Sequence, residues 1–146
     1  MAQFSRSVDV TWNGGLMDGK GSAKAGTGAF ELPVSFPSRV GEPAGTTSPE
    51  ELIAAAHASC FAMAFNATLG RKGGKAAQTR VTANVTAEKG DAGISIVSSK
   101  LTVAVSGLEG IDASQVAEVA TAASQGCPVS KALKGNLAIE VTSSVE

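Results

Sequence analysis

Only two of the 146 residues are cysteine, Cys60 and Cys127, and each sits where the chain can tune a thiol. Cys60 lies inside Ala54-Ala55-Ala56-His57-Ala58-Ser59-Cys60-Phe61-Ala62-Met63-Ala64-Phe65, an alanine-rich stretch that reads as an apolar helix. Burial there raises a thiol pKa, because desolvation disfavours the anion. Cys127 immediately precedes Pro128 in Gly126-Cys127-Pro128-Val129-Ser130-Lys131. With Pro128 at the first helical position, Cys127 falls at an N-cap beside unpaired backbone N–H groups, a setting that favours thiolate. Lys131 adds positive charge one turn on, and a purely structural N-cap is more often Ser, Thr, Asp or Asn. One thiol in an apolar helix and one at a helix start suggest an attacking sulfur and a resolving sulfur. The bland alternative is two unrelated buried thiols acting as small hydrophobes.

A reactive Cys60 needs a cation approaching from outside its helix. His57, the only histidine, is one turn earlier on the same side, but a satisfied core histidine explains it equally well. Arg39, in the pre-helix loop Phe36-Pro37-Ser38-Arg39-Val40-Gly41-Glu42-Pro43, is the better candidate, being always charged and carrying a fork of donors. Ser48-Pro49-Glu50-Glu51 matches a capping box with Ser48 as N-cap and Glu51 reaching back. That leaves Glu50 either to orient an arginine through a paired-donor salt bridge or simply to complement the helix dipole. Along one helix Glu50 and Cys60 are about 15 Å apart and about 80° out of phase. If they share a site, a second subunit brings them together.

The elements around these residues follow from pattern. Ser7–Trp12 alternates polar and apolar, and Asn13-Gly14-Gly15 supplies positive-φ residues for a hairpin turn. Ala29–Val34 reads as a strand with Pro33 at an edge or bulge, followed by a Gly- and Pro-rich loop from Pro37 to Pro49. The helix begun at Ser48 is expected to reach Leu69 and stop at Gly70. Apolar nearly all round, it should be buried on most sides, by sheets or by a second subunit. Two alternating strands, Arg80–Thr86 and Ile94–Val105, come next. Asp112 caps a helix over Ala113–Ser124 with Gln115 reciprocating, a short helix spans Pro128–Lys134, and Leu137–Thr142 is the last strand. The order is that of one α+β domain over residues 1–146.

A net charge of −1 and a pI near 5.8, without a basic block, point away from nucleic acid and anionic membranes. The N-terminal residues lack the apolar core of a signal peptide, and no run is expected to approach the roughly 18 apolar residues of a membrane span. A cytoplasmic protein is expected. In a reducing cytosol a cysteine pair is more often catalytic or metal-binding than a structural disulfide.

Thr47–Phe61 and Cys127–Leu133, read as whole motifs, closely resemble the OsmC/Ohr family, the osmotically inducible protein C and organic hydroperoxide resistance proteins. The likeness covers essentially the whole chain in element order and cysteine placement. It implies an intertwined α+β homodimer, with antiparallel sheets wrapped around a central buried helix from each subunit. It also implies thiol chemistry without metal, haem or other cofactor. Carried over residue by residue, it makes Cys60 the peroxidatic thiol, Cys127 the resolving one, and Glu50 the family's glutamate before the first cysteine. In the Ohr branch the arginine sits in the first hairpin, where this chain has Gly14–Lys20 and none. In the OsmC branch it lies in the pre-helix loop, as Arg39 does, so the chain resembles the OsmC branch.

The activity so implied is reduction of organic hydroperoxides, and of hydrogen peroxide, to alcohol or water, serving an oxidative- and osmotic-stress response. Cys60 becomes a sulfenic acid, Cys127 condenses with it to a disulfide, and an external dithiol, lipoyl-linked in the Ohr branch, restores both thiols. Phe36, Phe61 and Met63 are candidates for lining the site of the organic group, with core packing the plainer explanation of each. Two rival classes stand beside this one. A metal-binding domain would use His57, Cys60 and Cys127 as three ligands, and a non-catalytic dimeric protein would bind a small molecule in an apolar cleft.

Overall fold

The computed structural model describes residues 1–146. The chain divides into two compact units, Met1–Leu52 and Ile53–Glu146. In the first, β1 (Val8–Asn13), β2 (Lys20–Ala25) and β3 (Glu31–Val34) form an antiparallel sheet in the order β1-β2-β3. Gly14, at φ +93°, supplies the left-handed residue expected after Asn13. Pro33 is tolerated because β3 is an edge strand.

The segment expected to be loop from Pro37 contains a short helix, α1 (Phe36–Val40). Ser35 caps it by accepting the Ser38 backbone N–H, and Pro37 occupies its first turn. Proline and glycine punctuation obscured a single turn of helix that proline in fact starts. The main helix, α2 (Pro49–Arg71), runs two residues past Leu69, and the Lys72 and Gly74 N–H groups close its end on the Leu69 carbonyl. At its start the Glu51 N–H donates to Ser48 Oγ at 3.1 Å. Only this half of the expected capping box is formed: rather than reaching back to Ser48, the Glu51 carboxylate accepts the hydroxyl of Thr47, the residue before the N-cap, at 2.6 Å.

In the second unit β4 (Gln78–Gly90) and β5 (Gly93–Ser106) make a long antiparallel hairpin. A 3-10 turn at Ala113–Gln115, boxed by Asp112 and Gln115, leads into α3 (Val116–Gly126), α4 (Pro128–Leu133) and β6 (Ala138–Val145). The expectation of antiparallel sheets fails at β6, which pairs with β5 in parallel. Strand β5 is joined to β6 through α3 and α4, the kind of crossover that returns the chain in the same direction. The core joins Phe61, Phe65 and Leu69 of α2 to Leu101, Val103 and Val105 on one face of β5. Val119, Ala120 and Ala123 of α3, together with Cys127, complete it.

Helix α2 departs from expectation in its burial. Contrary to the expectation that no run approaches a membrane span, it is long and apolar enough to cross one by length and composition alone. Only His57, Phe61, Phe65, Thr68 and Leu69 are buried, on the stripe that meets this core. Ala55, Ala56, Ser59 and Met63 are exposed, Met63 at 69 %. One chain therefore covers one side of the helix rather than most of it.

Candidate functional site

Each thiol is placed by a different local rule. Periodicity puts Cys60 beside the buried stripe of α2, where it is half-buried and packs against the core. Cys127 is fully buried at the junction of α3 and α4, because Pro128 cannot continue α3 but can begin α4. Its backbone is extended at φ −68° and ψ 119°, and its own N–H still closes α3 by bonding the Ala123 carbonyl at 2.8 Å.

The fold brings the two sulfurs, both free thiols, within interaction range of each other. Burial pushes the Cys60 thiol up, the Val129 N–H partly offsets this, and the neighbouring Cys127 sulfur raises it further. Burial also acts upward on Cys127, but here hydrogen bonds win. The Ser130 N–H and hydroxyl, the Cys60 thiol and the Val129 N–H all stabilise its anion, so it titrates below the ordinary thiol range. Lys131, expected to help, is exposed and takes no part in this balance. Between the two sulfurs, the negative charge rests more readily on Cys127.

Behind Cys127 lies a buried polar chain. Ser130 Oγ is 2.8 Å from Nε2 of His57, and Nδ1 of the same ring is 2.7 Å from Ser99 Oγ. All three side chains are buried, and burial keeps His57 neutral by depressing its pKa. With both ring nitrogens occupied by serines, the imidazole is not free to serve as a metal ligand beside the thiols. No group of three or more His, Cys, Asp or Glu side chains is arranged to hold a metal ion.

Within the first unit, Arg39 and Glu50 form a paired salt bridge. Arg39 Nη2 donates to Glu50 Oε1 at 2.7 Å, and Nε lies 3.1 Å from both carboxylate oxygens. The hydrogen bond to Arg39 holds the Glu50 carboxyl below the usual carboxylate range, and Glu50 in turn raises the Arg39 pKa. Arg39 sits in the last turn of α1 and Glu50 in the first turn of α2, so the caps at Ser35 and Ser48 fix both ends of the pair. The guanidinium borders a cavity of about 320 Å³ whose other walls include Trp12, Leu16, Val34, Phe36 and Leu52. Of the three apolar residues expected near a site, Phe36 lines this cavity, Phe61 is core, and Met63 is exposed.

Sequence reasoning missed Ser99 and Ser130. A signal existed for each: Ser99 shares the face of Leu101, Val103 and Val105, a polar residue on an otherwise apolar stripe. Ser130 stands three residues after Cys127, in reach of an N-cap sulfur.

An α+β protein with two thiols distant in sequence at one core, each acting on the other's titration, is of the dithiol class. A family model described as OsmC-like protein matches residues 41–142, and the chain belongs to that family. It is 38 % identical over 130 residues to Peroxiredoxin OsmC of Escherichia coli, a match covering 88 % of this chain and 90 % of that protein. Organic hydroperoxide resistance protein OhrA of Bacillus subtilis is more distant, at 35 % over 112 residues, covering 74 % of this chain and 76 % of that protein. Among solved structures, an organic hydroperoxide resistance protein from Elizabethkingia anophelis superposes with a TM-score of 0.76. It shares 26 % identity, and all of both chains is covered.

Proposed function

We propose that this protein is a cysteine-based peroxidase that reduces organic hydroperoxides to alcohols. The observation that carries the reading is that Cys60 and Cys127, far apart in sequence, pack at one core, where each thiol acts on the other's proton. Homology to a peroxiredoxin supports it. The Cys60 thiolate attacks the outer oxygen of ROOH; a sulfur–oxygen bond forms, the oxygen–oxygen bond breaks, and the alkoxide takes a proton to leave as ROH. Cys127 thiolate then attacks the sulfenic sulfur of Cys60, forming the disulfide and releasing water. A dithiol reductant returns both thiols by exchange.

Arg39, held by Glu50, is the cation we assign to the thiolate and to the charge on the departing oxygen. The apolar cavity bordered by Arg39 favours a hydroperoxide with an organic group over hydrogen peroxide. We place this cycle in a homodimer, since Met63, Val10 and Trp12 leave apolar surface uncovered in one chain. A reducing compartment such as the cytoplasm would keep the pair ready.

The test is consumption of cumene hydroperoxide with excess dithiol, followed by mass spectrometry of protein given one equivalent of peroxide. Turnover that is lost in Cys60→Ser, with a linked peptide pair joining positions 60 and 127, is expected. Undiminished turnover in Cys60→Ser would reject Cys60 as the attacking thiol, and a wild type that consumes no hydroperoxide would favour the non-catalytic binding protein.

A further inference from the structure

We propose that Ser99, His57 and Ser130 form a one-way chain of hydrogen-bond donors that ends on the Cys127 sulfur, making His57 a positioning residue for the resolving thiol. The inference rests on the peroxidase reading only for its purpose; the chain itself is a matter of proton count. Ser130 has one hydroxyl proton. When that proton is donated to the Cys127 thiolate, Oγ must accept from its partner 2.8 Å away, so Nε2 of His57 carries the hydrogen. A neutral imidazole with its proton on Nε2 has a lone pair on Nδ1, which must accept from the Ser99 hydroxyl 2.7 Å away. Every donor in the series then points toward the sulfur. The two links to the ring are direct rather than water-bridged, and Ser99 and His57 are fully buried with Ser130 nearly so.

Three elements supply the chain: β5 gives Ser99, α2 gives His57, and α4 gives Ser130. The groups that shift Cys127 are Ser130 and Val129 of α4 and Cys60 of α2, and burial is what lowers the His57 pKa. No charged side chain takes part. The effect on chemistry is confined to the second step. Cys127 gives up its thiol proton, its electron pair forms the bond to the Cys60 sulfenic sulfur, and the expelled hydroxide combines with a proton to leave as water. Holding Cys127 as thiolate raises the fraction ready to attack. The cost is some intrinsic nucleophilicity, since that falls as pKa falls.

This trade-off gives a signature that a purely structural histidine does not. The chain has no tyrosine, so ultraviolet thiolate absorbance in a Cys60→Ser background reports Cys127 alone. Ser130→Ala in that background should raise the Cys127 midpoint by about one to two pH units, the worth of one hydrogen bond to a charged group. In the two-cysteine protein, Ser130→Ala should slow disulfide formation about three- to tenfold near neutral pH, yet not slow it above the shifted midpoint. His57→Gln, which can still present a donor to Ser130, should recover most of the rate lost in His57→Leu.

The single histidine allows a direct check: ¹⁵N-histidine NMR of the reduced wild type should show the Nε2–H tautomer once Cys127 is ionised. A proton on Nδ1 in that state, an unmoved midpoint in Ser130→Ala, or a slowing equal at every pH would each overturn the proposal. The NMR and absorbance readouts need no peroxide. A wild type inert to hydroperoxide but passing both would sink the peroxidase reading and leave the donor chain standing.

Discussion

At the scale of single residues, the two sulfurs divide their labour by environment. Cys60 is disfavoured as an anion by burial and by its neighbour, so an external cation is needed to make it the attacking group. Arg39 is our candidate, and Arg39→Met should slow sulfenic acid formation about 100- to 1000-fold in stopped-flow experiments, the range found for removing one preorganised donor. An unchanged rate would return the role to some other cation. Cys127→Ser should complete one turnover and then stall with Cys60 as sulfenic or over-oxidised acid, read by trapping and intact mass. Sustained turnover with dithiol would count against its resolving role. Glu50 brings a pH dependence. Its carboxyl titrates below the ordinary carboxylate range, so the Arg39 pair is intact above that range and its contribution is lost as acid carries the pH down through the folded value. Thermal unfolding from neutral to acid pH should therefore show a falling limb in the wild type. Glu50→Gln should weaken that limb, and an identical acid profile in the two proteins would contradict the assignment.

At the scale of elements, short caps hold the chemistry in place. Ser35 starts α1 and Ser48 starts α2, and between them they set the Arg39–Glu50 geometry. Ser48→Ala should cost about 0.5–2 kcal/mol by denaturant unfolding, the usual range for a lost N-cap. The cavity beside Arg39 is walled by Trp12 and Leu16 of the first hairpin. Trp12→Ala should raise KM for cumene hydroperoxide about 5- to 150-fold, in line with about 1–3 kcal/mol for lost apolar contact. It should leave hydrogen peroxide nearly unaffected; an equal effect on both peroxides would mean that the cavity does not hold the organic group. The start of α2 was legible from Ser48-Pro49-Glu50-Glu51, and the β4–β5 hairpin from its alternation. Helix α1 was not, since five residues with a proline in the first turn carry too little periodicity to register.

At the scale of the whole molecule, the proposed homodimer rests on the exposed stripe of α2. A helix this apolar gains little from facing water, and Met63 at 69 % exposure lies on that side with Ala55, Ala56 and Ser59. Met63→Glu should convert a dimer to monomer in sedimentation velocity, with loss of peroxidase activity. A wild type that is already monomeric and active would remove the dimer from the mechanism.

The motifs around Cys60 and Cys127, the Arg39 and Glu50 candidates and the α+β order could all be read from sequence, because capping, alternation and helix periodicity are local. That reading extended to the opposite pKa directions of the two thiols, since one lies mid-helix and the other at a helix start. Tertiary structure alone decided that β6 runs parallel to β5, that one chain covers a single side of α2, and that Ser99 and Ser130 clasp His57 from two other elements. These depend on contacts between residues distant in the chain, and no local pattern encodes which buried hydroxyl will meet which ring nitrogen.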